Sequence, residues 1–239
     1  ERVMARYDME KHKALYADFI KEFGVFSHFY AGLARTIQGA FDDGLALAEG
    51  AMRLGKELKF PHEIGFALLA RFNTALLRDD CVTADLASEE ALRFSTEQGF
   101  PEFVAMAQFA QGWCQARRGQ IAEGVALMET GFAAWRQTGF TCWQALFAAI
   151  IAPYYVELGR VAQAKDLVNN YLEQIDATGE EQCRAPLLLA RAIIERENGR
   201  PDAAIETARS AHAVAQKQGA VLWQRWIEAQ FSVEPKTTT

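Results

Sequence analysis

Asp79, Asp80 and Asp85 stand in "DDCVTAD", the string in this chain whose residue types and spacing most invite chemistry. Carboxylates are hard oxygen ligands, so three of them at this spacing on a helix wall could hold magnesium together with a diphosphate. The same letters also have a purely structural use. Short acidic side chains ahead of a helix accept its free N–H groups and suit its positive end. No second acidic motif accompanies the string, and its place in the repeat below favours capping.

The other reactive side chains form no constellation. His12, His28, His62 and His212 have no sequence neighbour that would make a metal pair, and Ser27, Ser88, Ser95, Ser210 and Ser232 lack the G-x-S-x-G elbow of an activated serine. Cys81, Cys114, Cys142 and Cys183 contain no C-x-x-C pair, which leaves buried reduced thiols as the expectation. Glu89-Glu90 and Glu180-Glu181 read as solvated helix charges, and no phosphate-binding G-x-x-x-x-G-K-[ST] occurs. The residues therefore predict no catalytic site, no cofactor and no bound metal.

The elements that would carry any site follow from a repeat. A turn position recurs at Gly39, Asp79, Gly119, Gly159 and Gly199, forty residues apart without a gap. Five positions later stand Gly44, Ala84, Gly124, Ala164 and Ala204, all small, as two closely approaching helices require. Small residues also fill four of five places seven before the turn (Gly32, Gly112, Ala152, Ala192) and twelve after it (Ala51, Ala91, Gly131, Ala211). Twenty residues beyond the turn, Lys59, Gly99, Gly139, Gly179 and Gly219 supply glycine in four of five cases, as left-handed helix ends require, while Pro61, Pro101 and Pro201 suit helix starts.

Each unit thus reads as helix A of about eighteen residues, a turn, helix B of about sixteen, and a stop. In helix B of the third unit, Val125, Met128, Phe132 and Trp135 share one face at helical spacing. Almost no strand is expected. The boundaries are a partial leading unit at 1–19, units at about 20–60, 61–100, 101–140, 141–180 and 181–220, a capping helix at 221–233 bearing Trp223 and Trp226, and a disordered tail at 234–239.

The small positions around the turn, Gly112, Gly124 and Gly131 in the third unit, resemble the packing positions of tetratricopeptide (TPR) repeats. The period here is forty rather than the usual ~34, and Lys56, Thr96, Arg136, Asp176 and Gln216 stand where that motif ends in proline. More specifically, "GFPEFVAMAQFAQGWCQARRGQIAEGVALMETGFAAWRQTG", with "YDMEKHKALYADF" and "AMRLGKELKFPHEIGFALL", resembles the C-terminal helical region of bacterial multidomain proteins of the predicted-ATPase or class III adenylate cyclase kind. The resemblance implies an all-α, right-handed TPR-like α-solenoid of helical hairpins. It also implies that the helix A arms line a concave face.

Transferring that geometry places Asn73, Phe109, Trp113 and Arg117 in a groove suited to a protein segment or a small-molecule effector. The same apolar columns could instead be buried between neighbouring units. Net charge is −6 over 239 residues, which disfavours nucleic acid and anionic membrane as partners. The longest apolar run, Ala145 to Pro153, is far short of the ~20 residues that span a bilayer. No secretory signal is visible and the first residue is Glu1, so the expectation is a region of a longer cytoplasmic chain. The reading is a non-catalytic regulatory or sensing array. A stand-alone interaction adaptor is the alternative, and a helical magnesium-dependent isoprenoid enzyme built on the three aspartates is a distant third.

Overall fold

Left-handed backbone turns punctuate the chain at a constant interval. Gly39, Lys59, Asp79, Gly99, Gly119, Gly139, Gly159, Gly179, Gly199 and Gly219 all have φ between 57° and 88°. Glycine enters that region without a Cβ penalty, and the short polar side chain of aspartate tolerates it. The computed structural model describes residues 6–12 and 23–233, and among them the regular structure is helical, with no strand. Parts of the expected leading unit and the tail at 234–239 lie outside the described residues.

The chain divides into two compact units, residues 1–139 and 140–239. The first contains α1 (Met9–His12), α2 (Phe23–Ile37), α3 (Phe41–Leu58), α4 (Pro61–Leu77), α5 (Cys81–Gln98), α6 (Pro101–Arg117) and α7 (Ile121–Gln137). The second contains α8 (Gln144–Glu157), α9 (Val161–Thr178), a 3-10 turn at Glu181–Cys183, α10 (Arg184–Glu197), α11 (Pro201–Gln218) and α12 (Val221–Gln230). The boundary falls where α7 and α8 are separated by residues 138–143, the longest stretch without helix between described neighbours.

Arm lengths differ from the sequence expectation. The second arms run 17 or 18 residues and the described first arms 14 to 17, with the two arms of the third hairpin equal at 17. Pro61 and Pro101 start α4 and α6 directly after the preceding turn. Thr141 and Glu181 occupy the equivalent places later, and there the first arms begin only at Gln144 and Arg184. The capping helix also ends early, at Gln230, where Phe231 turns extended and lies under the Arg196 guanidinium at 5.0 Å.

Within the first unit each helix packs on its neighbours along the chain: α2 on α3 and α4, α4 on α5 and α6, α6 on α5 and α7. The second unit repeats the scheme, with α8 on α9 and α10, α10 on α9 and α11, and α11 on α12. Val125, Met128, Phe132 and Trp135 are all buried, so the helical face read from their spacing is the packed face of α7. In α12, Trp223 is buried, and the Trp226 ring meets it edge-on at 4.9 Å.

Backbones approach closely between α6 and α7. A Cβ on Gly112 would lie 2.6 Å from the Gly124 carbonyl oxygen, and one on Gly124 would lie 2.5 Å from the Gly112 oxygen. Only a residue without a side chain lets the two backbones meet at that distance.

Candidate functional site

The residues selected from sequence as a groove come from two neighbouring first arms, Asn73 from α4 and Phe109, Trp113 and Arg117 from α6. The last three are four residues apart and share a helix face. Their environment corrects the expectation of an open concave surface. Asn73 is 4% exposed, Phe109 1% and Trp113 6%, so three of the four are interior. The Phe109 ring meets Phe132 of α7 edge-on at 6.4 Å. Each first arm packs on its own second arm and on neighbouring helices, and side chains between them are enclosed. The equivalent residues Phe29, Leu69, Ala149 and Leu189 are buried as well. The buried Asn73 Nδ2 has no hydrogen-bond partner among the described residues.

Arg117 is the exposed member, with 43% of its side chain accessible, and it forms an ion pair with Asp79. The three aspartates of "DDCVTAD" are each engaged separately. Asp79 takes Arg117 at the left-handed turn, and Asp85 takes Arg118 at 2.7 Å. Asp80 accepts the Thr83 amide N–H at 3.0 Å as the N-cap of α5, and this bond holds its carboxyl below the ordinary value. Two Arg–Asp pairs therefore fasten the α4–α5 turn and the first turns of α5 to the end of α6. Among the described residues no group of three or more His, Cys, Asp or Glu converges as a metal cage.

The cysteines and histidines mostly tie elements together. None of the four cysteines forms a disulfide. Cys114 fits the expected buried thiol: its S–H points to the Cys81 carbonyl oxygen at 3.7 Å, and burial pushes it up to about 12. Cys142 departs from that expectation, standing exposed in the segment before α8. His62 lies 3.4 Å from Glu63 and 3.7 Å from Glu102, linking the starts of α4 and α6. His212 reaches Glu228 at 2.8 Å and links α11 to α12.

The concavity in the second unit involves residues that sequence reading passed over. Lys165 and Val168 of α9, Arg191, Ile194 and Glu195 of α10, and Arg200 ahead of α11 line a cavity of about 210 Å³. A neighbouring hollow of about 390 Å³ shares Lys165 and Arg200 with it. These residues come from two helices and the turn before a third and occupy no single repeat column, so spacing along the chain gave no signal for them.

No family model matches the chain. One relative is similar, an uncharacterized protein of Rhizobium meliloti (strain 1021), 26% identical over 196 residues. The match covers 82% of this chain and 18% of that protein, so the chain spans less than a fifth of its relative's length.

Proposed function

We propose that the chain is a non-catalytic regulatory or sensing array, a TPR-like right-handed solenoid with a forty-residue period, within a larger cytoplasmic signalling protein. The observation that carries this reading is the recurrence of left-handed turn residues at twenty-residue intervals from Gly39 to Gly219, with helices packed mainly on the next one or two along the chain inside each unit. Hairpins joined in this way build extended surfaces, and extended surfaces recruit segments or effectors. The partial match to a much longer relative supports a region set among others. Resemblance to the helical regions of ATPase and adenylate cyclase proteins supplies the signalling class. The partner is a protein segment or a small effector. Nucleic acid is disfavoured by the net charge of −6, and no described helix is long and apolar enough to cross a membrane.

A stand-alone protein-interaction adaptor is the second reading. It is favoured by Val82 and Leu86, two strongly exposed apolar side chains one turn apart on α5. Reading the coding sequence upstream of Glu1 separates the two. An ATPase or cyclase domain in the same frame supports the regulatory array, and an adjacent start codon supports the adaptor. Incubation with magnesium and an allylic diphosphate addresses catalysis. Diphosphate release abolished by Asp80→Asn would overturn both readings in favour of an isoprenoid enzyme.

A further inference from the structure

The cavity between α9, α10 and the start of α11 is cationic in a chain whose net charge is −6. Several arginines elsewhere are held by carboxylates: Arg71 by Glu49 and Glu90, Arg118 by Asp85, Arg184 by Asp176 and Glu181. Lys165 and Arg200 differ. Both line the cavity and the adjoining hollow, and among the described residues neither side chain forms an ion pair or hydrogen bond.

The third cation, Arg191, is placed by a buried carboxylate. Glu195 is 7% exposed, accepts the Thr207 hydroxyl at 2.7 Å through Oε2, and lies 3.6 Å from Arg191 Nε through Oε1. A buried carboxylate held by a hydroxyl is fixed in place, and it draws the half-exposed arginine beside it toward the cavity. Three cations against Glu195 leave the lining with an excess of two positive charges.

We propose that this cleft binds a compact phosphate-bearing ligand, with the phosphoryl group between Lys165 and Arg200 and Arg191 as a further donor. Charge selects the head group: a phosphate monoester carries about −1.5 to −2 at neutral pH, close to the excess of the lining, whereas one carboxylate would leave a cation unmatched. Guanidinium forks suit phosphate oxygens, and lysine adds a point charge. Size selects the body. The hollow of about 390 Å³ sits at the lower end of small-molecule sites and the cavity of about 210 Å³ below it, which suits a compact ligand, with Val168 and Ile194 as an apolar wall. A helical or extended protein segment would need a longer trough. The proposal does not depend on the repeat reading, since it uses only the local contacts of three helices.

Titration calorimetry on the full chain at constant ionic strength tests it, with inorganic phosphate, glycerol 3-phosphate, succinate and a hexaglutamate peptide as probes. Saturable one-to-one binding is expected for the two phosphates, tighter for glycerol 3-phosphate because the apolar wall meets its carbon body. Lys165→Met and Arg200→Gln should each weaken it at least tenfold. Both side chains are exposed, so neither change disturbs packing, and far-UV circular dichroism checks this. Arg93→Gln, at an exposed pair with Glu97 on α5, should leave binding unchanged. Three results would overturn the proposal: no saturable binding of either phosphate, equal binding by the parent and both cleft variants, or tighter binding of succinate or hexaglutamate than of glycerol 3-phosphate.

Discussion

Gly124→Ala adds a single methyl group at the close crossing of α6 and α7. The new Cβ would lie 2.5 Å from the Gly112 carbonyl oxygen, 2.6 Å from the Ala116 amide nitrogen and 2.9 Å from the Ala116 Cβ. Comfortable non-bonded separations begin at about 3.5 Å, so α6 and α7 must part by about 1 Å. A gap of that size forfeits about a quarter to a half of each contact's attraction along the seam, and overpacking of this kind costs about 1–3 kcal/mol. Alanine also gains about 1 kcal/mol of helix propensity over glycine. The net is a loss of up to about 2 kcal/mol for alanine, and Gly124→Leu should reach at least the upper end of the overpacking range.

Gly50→Ala is the control. The nearest obstacle there is the movable ring of His28 at 2.7 Å, whose Nδ1–H donates to the Gly24 carbonyl oxygen at 2.8 Å. Turning that ring costs at most one hydrogen bond, about 1 kcal/mol, which the propensity gain offsets. Urea titration followed by far-UV circular dichroism ranks the three variants. A Gly124→Ala chain as stable as the parent, or a Gly50→Ala chain less stable than Gly124→Leu, would refute the close-crossing argument.

Asp80→Leu removes the N-cap of α5 and should cost about 0.5–2 kcal/mol by the same titration, less than Gly124→Leu. The Asp80 carboxyl is lowered in the folded chain, so its contribution is present above the unfolded carboxylate value and is lost as pH falls through the folded one. Stability of the variant should therefore fall less over that acidic window than stability of the parent. Trp113→Ala should destabilise by about 3–5 kcal/mol and lower the helical signal near the transition, because the indole is interior; a variant with unchanged stability would return Trp113 to the surface. Asn73→Leu should be neutral or stabilising, since it removes a buried amide nitrogen without a partner at a place where the first hairpin carries Leu33; a large loss would show that the amide is bonded. Ending the chain at Gly219 removes the buried Trp223 and should lower both stability and solubility; a truncated chain equal to the parent in both would refute the capping role of α12.

The turns were the most legible part of the sequence, because a left-handed backbone restricts residue type strongly. Even Asp79 and Lys59, which break the glycine series, adopt positive φ. Close crossing in the third hairpin was legible for a related reason, since Gly112 and Gly124 are small where most residues would collide. Arm lengths were less so: glycine marks where a helix stops, whereas a start without proline, as at Gln144, carries no strong letter. The groove at Phe109 and Trp113 was misjudged because a repeat column names the face of a helix without saying how many neighbours cover it. The Lys165–Arg200 cleft had no linear signal, since thirty-five residues and a whole helix separate the two cations.

The decisive measurement compares chains ending at Gly139 and at Gly119 by urea unfolding and helical signal. A chain of residues 1–139 retains α2 to α7 as whole hairpins and should unfold in one cooperative transition. Ending at Gly119 deletes α7 and bares the face of α6 that crosses it at Gly112. If hairpins are the units of folding, the shorter chain loses the helical signal of both α6 and α7. Loss of the signal of α7 alone, with unchanged stability of the remainder, would contradict the hairpin array.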